Sequence, residues 1–343
     1  MKAEVIELNK ERNVTLTCYL QDVGGEFGFS ERPAMLVLPG GGYTICSDRE
    51  ADAVALSYSK AGYQSFILRY TLNKDGRWPL PLEDYEQAMD LIENKSEEWK
   101  IAGGKTSVVG FSAGGHLAAC AATIAEHKPA AAILVYPAIL KDIVDMCQTG
   151  NIYPNEHVDG NTCPCFLVAC RDDRTVDIKN TLMMEQALAE HGIPFESHIY
   201  SYGGHGFSTG DSWIVTNSRT ERLSDWTDLS IGWLKETLGE LTRNGIGEPD
   251  IGVSKNGDTA PVLSVACSLK HIRKQNEKVQ KLLAPMYEKL DALAKDRGFS
   301  EENLMRAIAE NTIREIMETL QIDSETIRKI DKTLHGMPAL TNL

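Results

Sequence analysis

Ser107-Val108-Val109-Gly110-Phe111-Ser112-Ala113-Gly114-Gly115-His116-Leu117 is the stretch whose reading decides the fold. A β-branched run ends in Gly-x-Ser-x-Gly, and an Ala-rich segment, Leu117-Ala118-Ala119-Cys120-Ala121-Ala122, follows. The first part has strand character and the last has helix character. Between them, Gly110 and Gly114 leave room for a sharp turn that holds Ser112 in strained backbone. Such a turn displays a hydroxyl at the carboxyl end of a strand, beside a helix N-terminus. The Ala113 amide then points toward any oxygen that gains negative charge next to Ser112. The pentapeptide also arises by chance as a tight glycine turn, so its information lies in the strand, turn and helix order.

Strands and helices alternate outward from this point. Residues 3–8 and 14–20 read as strands, and Gln21 to Arg32 reads as a Gly-rich turn. Ala34-Met35-Leu36-Val37-Leu38 is a buried strand running into Pro39-Gly40-Gly41-Gly42-Tyr43. Ser47-Asp48-Arg49-Glu50 has the form of a capping box and predicts a helix to about Ala61. A strand at Gln64 to Tyr70 and a helix from about Leu82 to Lys95 complete the part before Ser107. After the Ala-rich helix come a strand at 131–136, an irregular stretch at 141–162 and a strand at 165–170. A helix at about 178–191, a strand at 195–200 and a last helix at about 221–238 follow. This alternation predicts an α/β fold with a doubly wound, mostly parallel sheet over residues 1–241.

Residues 242–261 have linker composition, and residues 262–343 read as a separate all-helical module. Leu269, Ile272, Asn276, Val279, Leu283, Met286, Leu290 and Leu293 keep alternating three- and four-residue spacing. That predicts a heptad seam with one polar member, interrupted at Pro285. An apolar stripe of this kind calls for a partner, so the module is a candidate homo-oligomer contact. Ser300 caps a second predicted helix, carrying Leu304, Ile308, Ile313, Ile316 and Leu320, and Asp323 or Ser324 caps a third.

The net charge of -14 falls on residues 1–240, while 241–343 is balanced. An acidic surface disfavours nucleic acid and anionic membranes as partners. The first residues, Met1-Lys2-Ala3-Glu4-Val5-Ile6-Glu7, lack the apolar core of a signal peptide, which predicts a cytoplasmic protein. Eight cysteines in that setting read as reduced thiols. Cys163-Pro164-Cys165 is the one close pair, and no Cys or His follows at zinc-ligand spacing, so no metal is expected.

A serine hydroxyl is a poor nucleophile until a base takes its proton. After a serine displayed in this way, an acid and then a histidine follow in chain order, each in a loop at the carboxyl end of a strand. His191 falls at a helix end, His198 inside a strand, and His271 and His335 in the helical module. His205 alone lies in a Gly-rich loop directly after a strand, Ser201-Tyr202-Gly203-Gly204-His205-Gly206-Phe207. Asp172 and Asp173 both follow the preceding strand closely. Asp173-Arg174-Thr175-Val176 places an anchoring Val three residues on, which favours Asp173 as the acid. Gly41 and Gly42 are candidate oxyanion donors beside Ala113. The absence of a following Gly-Lys-Ser/Thr removes the phosphate-loop reading. His116 shares a helical face with Ser112 and reads as structural.

Taken together, Pro39-Gly40-Gly41-Gly42-Tyr43, Glu50, Ala61-Gly62-Tyr63, Gly110 to Leu117, Asp173-x-x-Val176 and Gly204-His205-Gly206-Phe207 resemble the acetyl-xylan-esterase-like branch of the α/β-hydrolases. The resemblance covers about residues 1–240. It implies a serine esterase that removes acetyl groups from small acetylated sugars or xylo-oligosaccharides without a cofactor. It carries over Ser112, Asp173 and His205 as the triad. Tyr43, directly after the glycines, is a candidate to stack on a sugar or, equally, to pack under the loop. Two features depart from the family: Asp177 stands where Pro is usual after the Val, and the stretch between Pro137 and the acid strand is short. A formamidase or peptidase-like hydrolase on the same triad is the alternative enzyme. A binding or scaffolding protein assembled through the C-terminal helices is the alternative of another class.

Overall fold

Alternating apolar residues make the first two strands a hairpin, β1 (Lys2–Asn9) and β2 (Val14–Leu20), with Val14, Leu16, Cys18 and Leu20 facing inward. In the computed structural model this hairpin opens the sheet at one edge. The structure describes residues 1–147, 149–214, 221–243, 245–247, 249 and 263–337. Six further strands join the sheet: β3 (Arg32–Leu38), β4 (Gln64–Arg69), β5 (Ile101–Phe111), β6 (Ala132–Val135), β7 (Cys165–Cys170) and β8 (Phe195–Tyr200). Their order is β1-β2-β4-β3-β5-β6-β7-β8. β2 pairs antiparallel with β4, and every pair from β4 to β8 is parallel.

Helices cover both faces: α1 (Asp52–Lys60), α2 (Leu80–Asn94), α3 (Ser96–Trp99), α4 (Ala113–Thr123), α5 (Lys141–Met146), α6 (Lys179–Glu190) and α7 (Asp225–Leu238). The two-residue period of the strands divides the core. Leu36, Val108, Leu134 and Leu167 pack with Tyr85 and Ile92 of α2, Leu117 of α4 and Leu188 of α6. Val37, Val109, Ile133 and Phe166 pack with Val54 and Tyr58 of α1 and Trp226 and Leu234 of α7. A parallel sheet buried on both faces explains why its strands read as near-continuous apolar runs. The parallel order also brings the carboxyl ends of β3, β5, β7 and β8 to one edge.

Three local expectations are corrected. Residues 141–162 are not wholly irregular, since α5 lies there. Ser47 makes no side-chain cap, because the Glu50 carboxylate turns inward instead of back along the chain. The two-stranded hairpin of β9 (Leu241–Thr242) and β10 (Gly245–Ile246) occupies the start of the expected linker. A Cβ on Gly62 would lie 3.1 Å from the Leu241 side chain, so the hairpin packs on the sheet domain and extends it beyond residue 241. Residues 250–261 of that linker lie outside the described residues.

The chain divides into two compact units, Met1–Ile251 and Gly252–Leu343. The second has its own core, in which Leu269, Ile272, Val279, Leu283, Met286, Ile313, Met317 and Leu334 are buried together. Among its described residues five helices build it: α8 (Leu269–Ile272), α9 (Glu277–Asp296), α10 (Glu301–Ala307), α11 (Ile313–Thr319) and α12 (Ser324–His335). Asn276 is not a seam position. It caps α9, its Oδ1 accepting from the Lys278 and Val279 amides at 3.0 and 3.3 Å. The expected seam is therefore two helices joined at a cap, and its apolar residues close on one another rather than facing outward. α9 also runs through Pro285 without ending. The expected second helix is split, with Ser300 capping α10 and a Thr312/Glu315 capping box starting α11.

Candidate active site

β5 ends at Phe111 and α4 begins at Ala113, so one residue carries the whole change of direction. That residue, Ser112, has φ 53° and ψ -113°, a conformation costly for any residue with a Cβ. The turn persists because its neighbours are glycines. A Cβ on Gly110 would lie 2.1 Å from the Gly114 carbonyl, and one on Gly114 would lie 2.1 Å from the Leu38 carbonyl. The Gly-x-Ser-x-Gly pattern is thus a packing requirement between β5, α4 and the end of β3.

His205 Nδ1 lies 2.7 Å from Asp173 Oδ2, and its Nε2 lies 2.9 Å from Ser112 Oγ. With Nδ1–H donating to the carboxylate, Nε2 is left as the acceptor for the serine hydroxyl. Asp173 is held in turn: its Oδ1 accepts from the Thr175 and Val176 amides at 2.8 and 2.9 Å. Val176 is buried and anchors that loop. The Asp173 side chain is 1 % exposed and that of His205 is 19 % exposed, so the carboxylate is sealed while the imidazole reaches solvent. Asp172 has a different partner. Its Oδ1 accepts from the Gly204 amide at 2.9 Å and ties the acid loop to the histidine loop.

Pro39 to Gly42 leave the end of β3 beside the elbow. A Cβ on Gly40 would lie 3.0 Å from that of Ser112 and 2.6 Å from the Phe111 carbonyl. Gly41 and Gly42 both have positive φ, 127° and 61°. The Gly40 amide is already engaged, donating to Glu50 Oε2 at 2.8 Å. The Ala113 amide belongs to the first turn of α4 and has no acceptor within its helix. Glu50 is buried, and its other oxygen accepts from the Tyr136 hydroxyl at 2.7 Å. Burial pushes the Glu50 carboxyl above its ordinary value, opposed by these two hydrogen bonds.

Around the glycines, the sugar-stacking reading of Tyr43 changes and the structural reading of His116 does not. Tyr43 is 1 % exposed, its hydroxyl 2.9 Å from His116 Nδ1 and its ring beside Tyr70. It offers no open face to a sugar and is a packing residue under the loop. His116 is buried, with Nε2 2.9 Å from the Ile152 carbonyl. It links α4 to the segment before β7, and burial pushes its pKa down to about 4. Sequence reasoning missed Tyr136, whose ring edge meets the His205 ring at 4.8 Å between centroids and whose oxygen accepts from the Ser208 amide at 3.1 Å. Its only signal was its place at the end of β6, next to the elbow strand. Among the described residues no three His, Cys, Asp or Glu gather as a metal site, and no helix is long and apolar enough to cross a membrane.

A serine on a strand-to-helix turn, with its acid and base in later loops at the same sheet edge, is the construction of an α/β-hydrolase. Residues 27–149 match the BD-FAE family. An α/β-hydrolase enzyme from a Medee basin deep-sea metagenome library is 37 % identical, with a TM-score of 0.65, over 69 % of this chain and 98 % of that one. Endo-1,4-beta-xylanase B of Butyrivibrio fibrisolvens is 30 % identical over 227 residues, 57 % of this chain and 34 % of that protein. Acetylxylan esterase of Xylanibacter ruminicola is 25 % identical over 252 residues, 66 % of this chain and 50 % of that protein. The chain spans between a third and a half of the length of these two curated relatives. It belongs to the α/β-hydrolases, and its other matches are to the BD-FAE family, a xylanase and an acetylxylan esterase.

Proposed function

We propose that this protein is a serine esterase that removes acetyl groups from acetylated sugars, xylo-oligosaccharides among them, through an acetyl-enzyme. The observation that carries the reading is the continuous hydrogen-bond chain from Ser112 through His205 to Asp173. His205 Nε2 takes the hydroxyl proton as Ser112 Oγ attacks the ester carbonyl carbon. The carbonyl oxygen becomes an oxyanion, for which the Gly41, Gly42 and Ala113 amides are the donors. Asp173 holds the imidazole tautomer and stabilises the imidazolium. The tetrahedral adduct then expels the sugar oxygen, which takes the proton from His205. Water attacks the acetyl-enzyme by the same route, its proton passing to His205 and back to Ser112, and acetate leaves. No step calls for a cofactor or a metal.

The acetyl and sugar parts of the reading rest on the relatives, an acetylxylan esterase and a xylanase. The test is a substrate panel on purified protein: acetyl, butyryl and longer nitrophenyl esters, N-formyl amides, and acetylated xylo-oligosaccharides. The expected order has acetyl esters first in kcat/KM, with release of acetate from the oligosaccharides. A preference for long acyl chains or formyl amides would replace this substrate with another on the same triad.

A further inference from the structure

Among the described residues, Glu50 is the one buried carboxylate that touches both loops flanking Ser112 without belonging to the candidate triad. One oxygen accepts from the Gly40 amide at 2.8 Å, at the root of the loop that carries Gly41 and Gly42. The other accepts from the Tyr136 hydroxyl at 2.7 Å. Tyr136 accepts in turn from the Ser208 amide at 3.1 Å, three residues beyond His205, and its ring edge packs on the His205 and Phe207 rings. Trp226 Nε1 donates to the Ser208 carbonyl at 3.0 Å and fixes the same loop from α7. A route from the glycine loop to the histidine loop is therefore Gly40, Glu50, Tyr136, Ser208, beside a second tie in which the Ser208 hydroxyl donates to the Arg49 carbonyl.

Resting on the esterase reading above, we infer that Glu50 is a positioning residue that sets the oxyanion loop and the base loop against each other. Two features of the geometry carry this. Engaging the Gly40 amide turns it away from substrate and leaves the next two amides, at positive φ, to face the reacting oxygen. A carboxylate has two acceptor oxygens and no donor, so it holds an N–H and an O–H at once, each in one orientation. No Lys or Arg pairs with Glu50 among the described residues, and its partners are an amide and a hydroxyl. An ionised carboxylate buried on such terms costs stability, as the upward push on its pKa reflects. A group kept at such a cost and placed beside the reacting centre is better explained by orientation than by support of the fold.

The test compares Glu50→Gln, Tyr136→Phe and the double variant with wild type. Three quantities are read: kcat and KM on nitrophenyl acetate, the rate at which a fluorophosphonate labels Ser112, and the thermal midpoint. Glu50→Gln keeps size but puts an N–H2 where one acceptor was, so one of its two contacts reverses polarity. The expected result is a fall of about 10- to 100-fold in kcat and in labelling rate, below the loss for an oxyanion donor itself. KM should stay within about threefold, because the interaction matters in the transition state. The thermal midpoint should hold or rise, since a buried charge is gone. The double variant should be no worse than the poorer single one, because both act through one link. Full kcat and labelling in Glu50→Gln, losses that only track a lower midpoint, or additive losses in the double variant would each overturn the inference. Labelling keeps this separate from the substrate reading. A wild type that is labelled but does not cleave acetyl esters fails that reading and still tests Glu50. A wild type that Ser112 labelling also misses removes both.

Discussion

The two units of the chain spend their buried polar groups differently. In Met1–Ile251 the buried set includes Glu50, Asp84, His116 and Asp173, each hydrogen-bonded to residues distant in sequence or to the loop it orients. In Gly252–Leu343 the buried polar residues described are Ser268, Gln275 and Thr312, and two of these three are helix caps. The rest of that core is aliphatic or sulfur-containing. Caps satisfy backbone amides and end there. Tertiary polar links hold side chains in fixed relation, which is what chemistry needs. On this comparison, reactivity belongs to the first unit, and the second is organised for its own folding.

The largest expected effect tests the first half of that comparison. Ser112→Ala should lower kcat by about six orders of magnitude, as in other serine triads, with the thermal midpoint unchanged. Residual turnover near wild type in an assay of purified protein would mean that another residue is the nucleophile. Next in size, Asp173→Asn should cost about four orders of magnitude, because the amide no longer imposes the tautomer that leaves Nε2 free to accept. Asp172→Asn should cost much less. Its contact is to the Gly204 amide, and the Asn oxygen can still accept there. A reversed ranking in steady-state kinetics would move the acid to Asp172.

The legibility of the site follows the same division. Ser112, Asp173 and His205 could be read as candidates because each lies in a loop directly after a strand, and loop order is written along the chain. Glu50 could not be placed. Ser47-x-x-Glu50 has the local form of a capping box, and only the tertiary contact with Gly40 turns the side chain inward. Tyr43 could not be decided between sugar and packing for a related reason, since adjacency to the glycines says nothing about which way a ring points. In the second unit Asn276 sits at a spacing that suits a seam as well as a cap. Three- and four-residue periodicity continues through a helix break when both helices line one core. α5 went unread because Lys141–Met146 is too short for an apolar period to show.

A buried histidine makes the next comparison one of pH. Unfolded, His116 takes a proton below about pH 6.5, whereas in the folded chain burial holds it neutral down to about pH 4. Unfolding therefore takes up a proton between those values, and stability falls as pH falls through that window, by about 2 kcal/mol between pH 6.5 and 5. Above pH 6.5 this group has no effect. Urea unfolding of the first unit at pH 7 and 5 should show a smaller acid loss in His116→Gln than in wild type. Equal losses would mean that His116 is protonated in the fold. In the second unit, Thr312→Ala should cost about 1 kcal/mol of its unfolding free energy through the lost capping box and leave kcat as it was. A change in kcat from that cap would show the units to be energetically coupled.

The smallest expected effect is the sharpest test of the comparison, since it is an absence of change. We propose that residues 252–343 are dispensable for turnover. Every residue assigned to chemistry lies before Phe207, and the apolar core of the second unit closes on itself. The cut belongs after Ile251 rather than at Leu241, because the hairpin at Leu241–Ile246 packs against Gly62 of the first unit. A chain ending at Ile251 should keep kcat on nitrophenyl acetate within about a factor of two, as a change that touches no reacting group should. Its association state should also be unchanged. The stripe that sequence spacing assigned to an oligomer contact is buried inside the second unit, with Leu269, Val279, Leu283 and Met286 at 0, 0, 0 and 1 % exposure. An apolar surface already covered leaves nothing for a second copy to cover. Light scattering and steady-state kinetics on the full and shortened chains decide the matter. A shortened chain that aggregates or loses turnover would make the helical unit part of the catalytic fold.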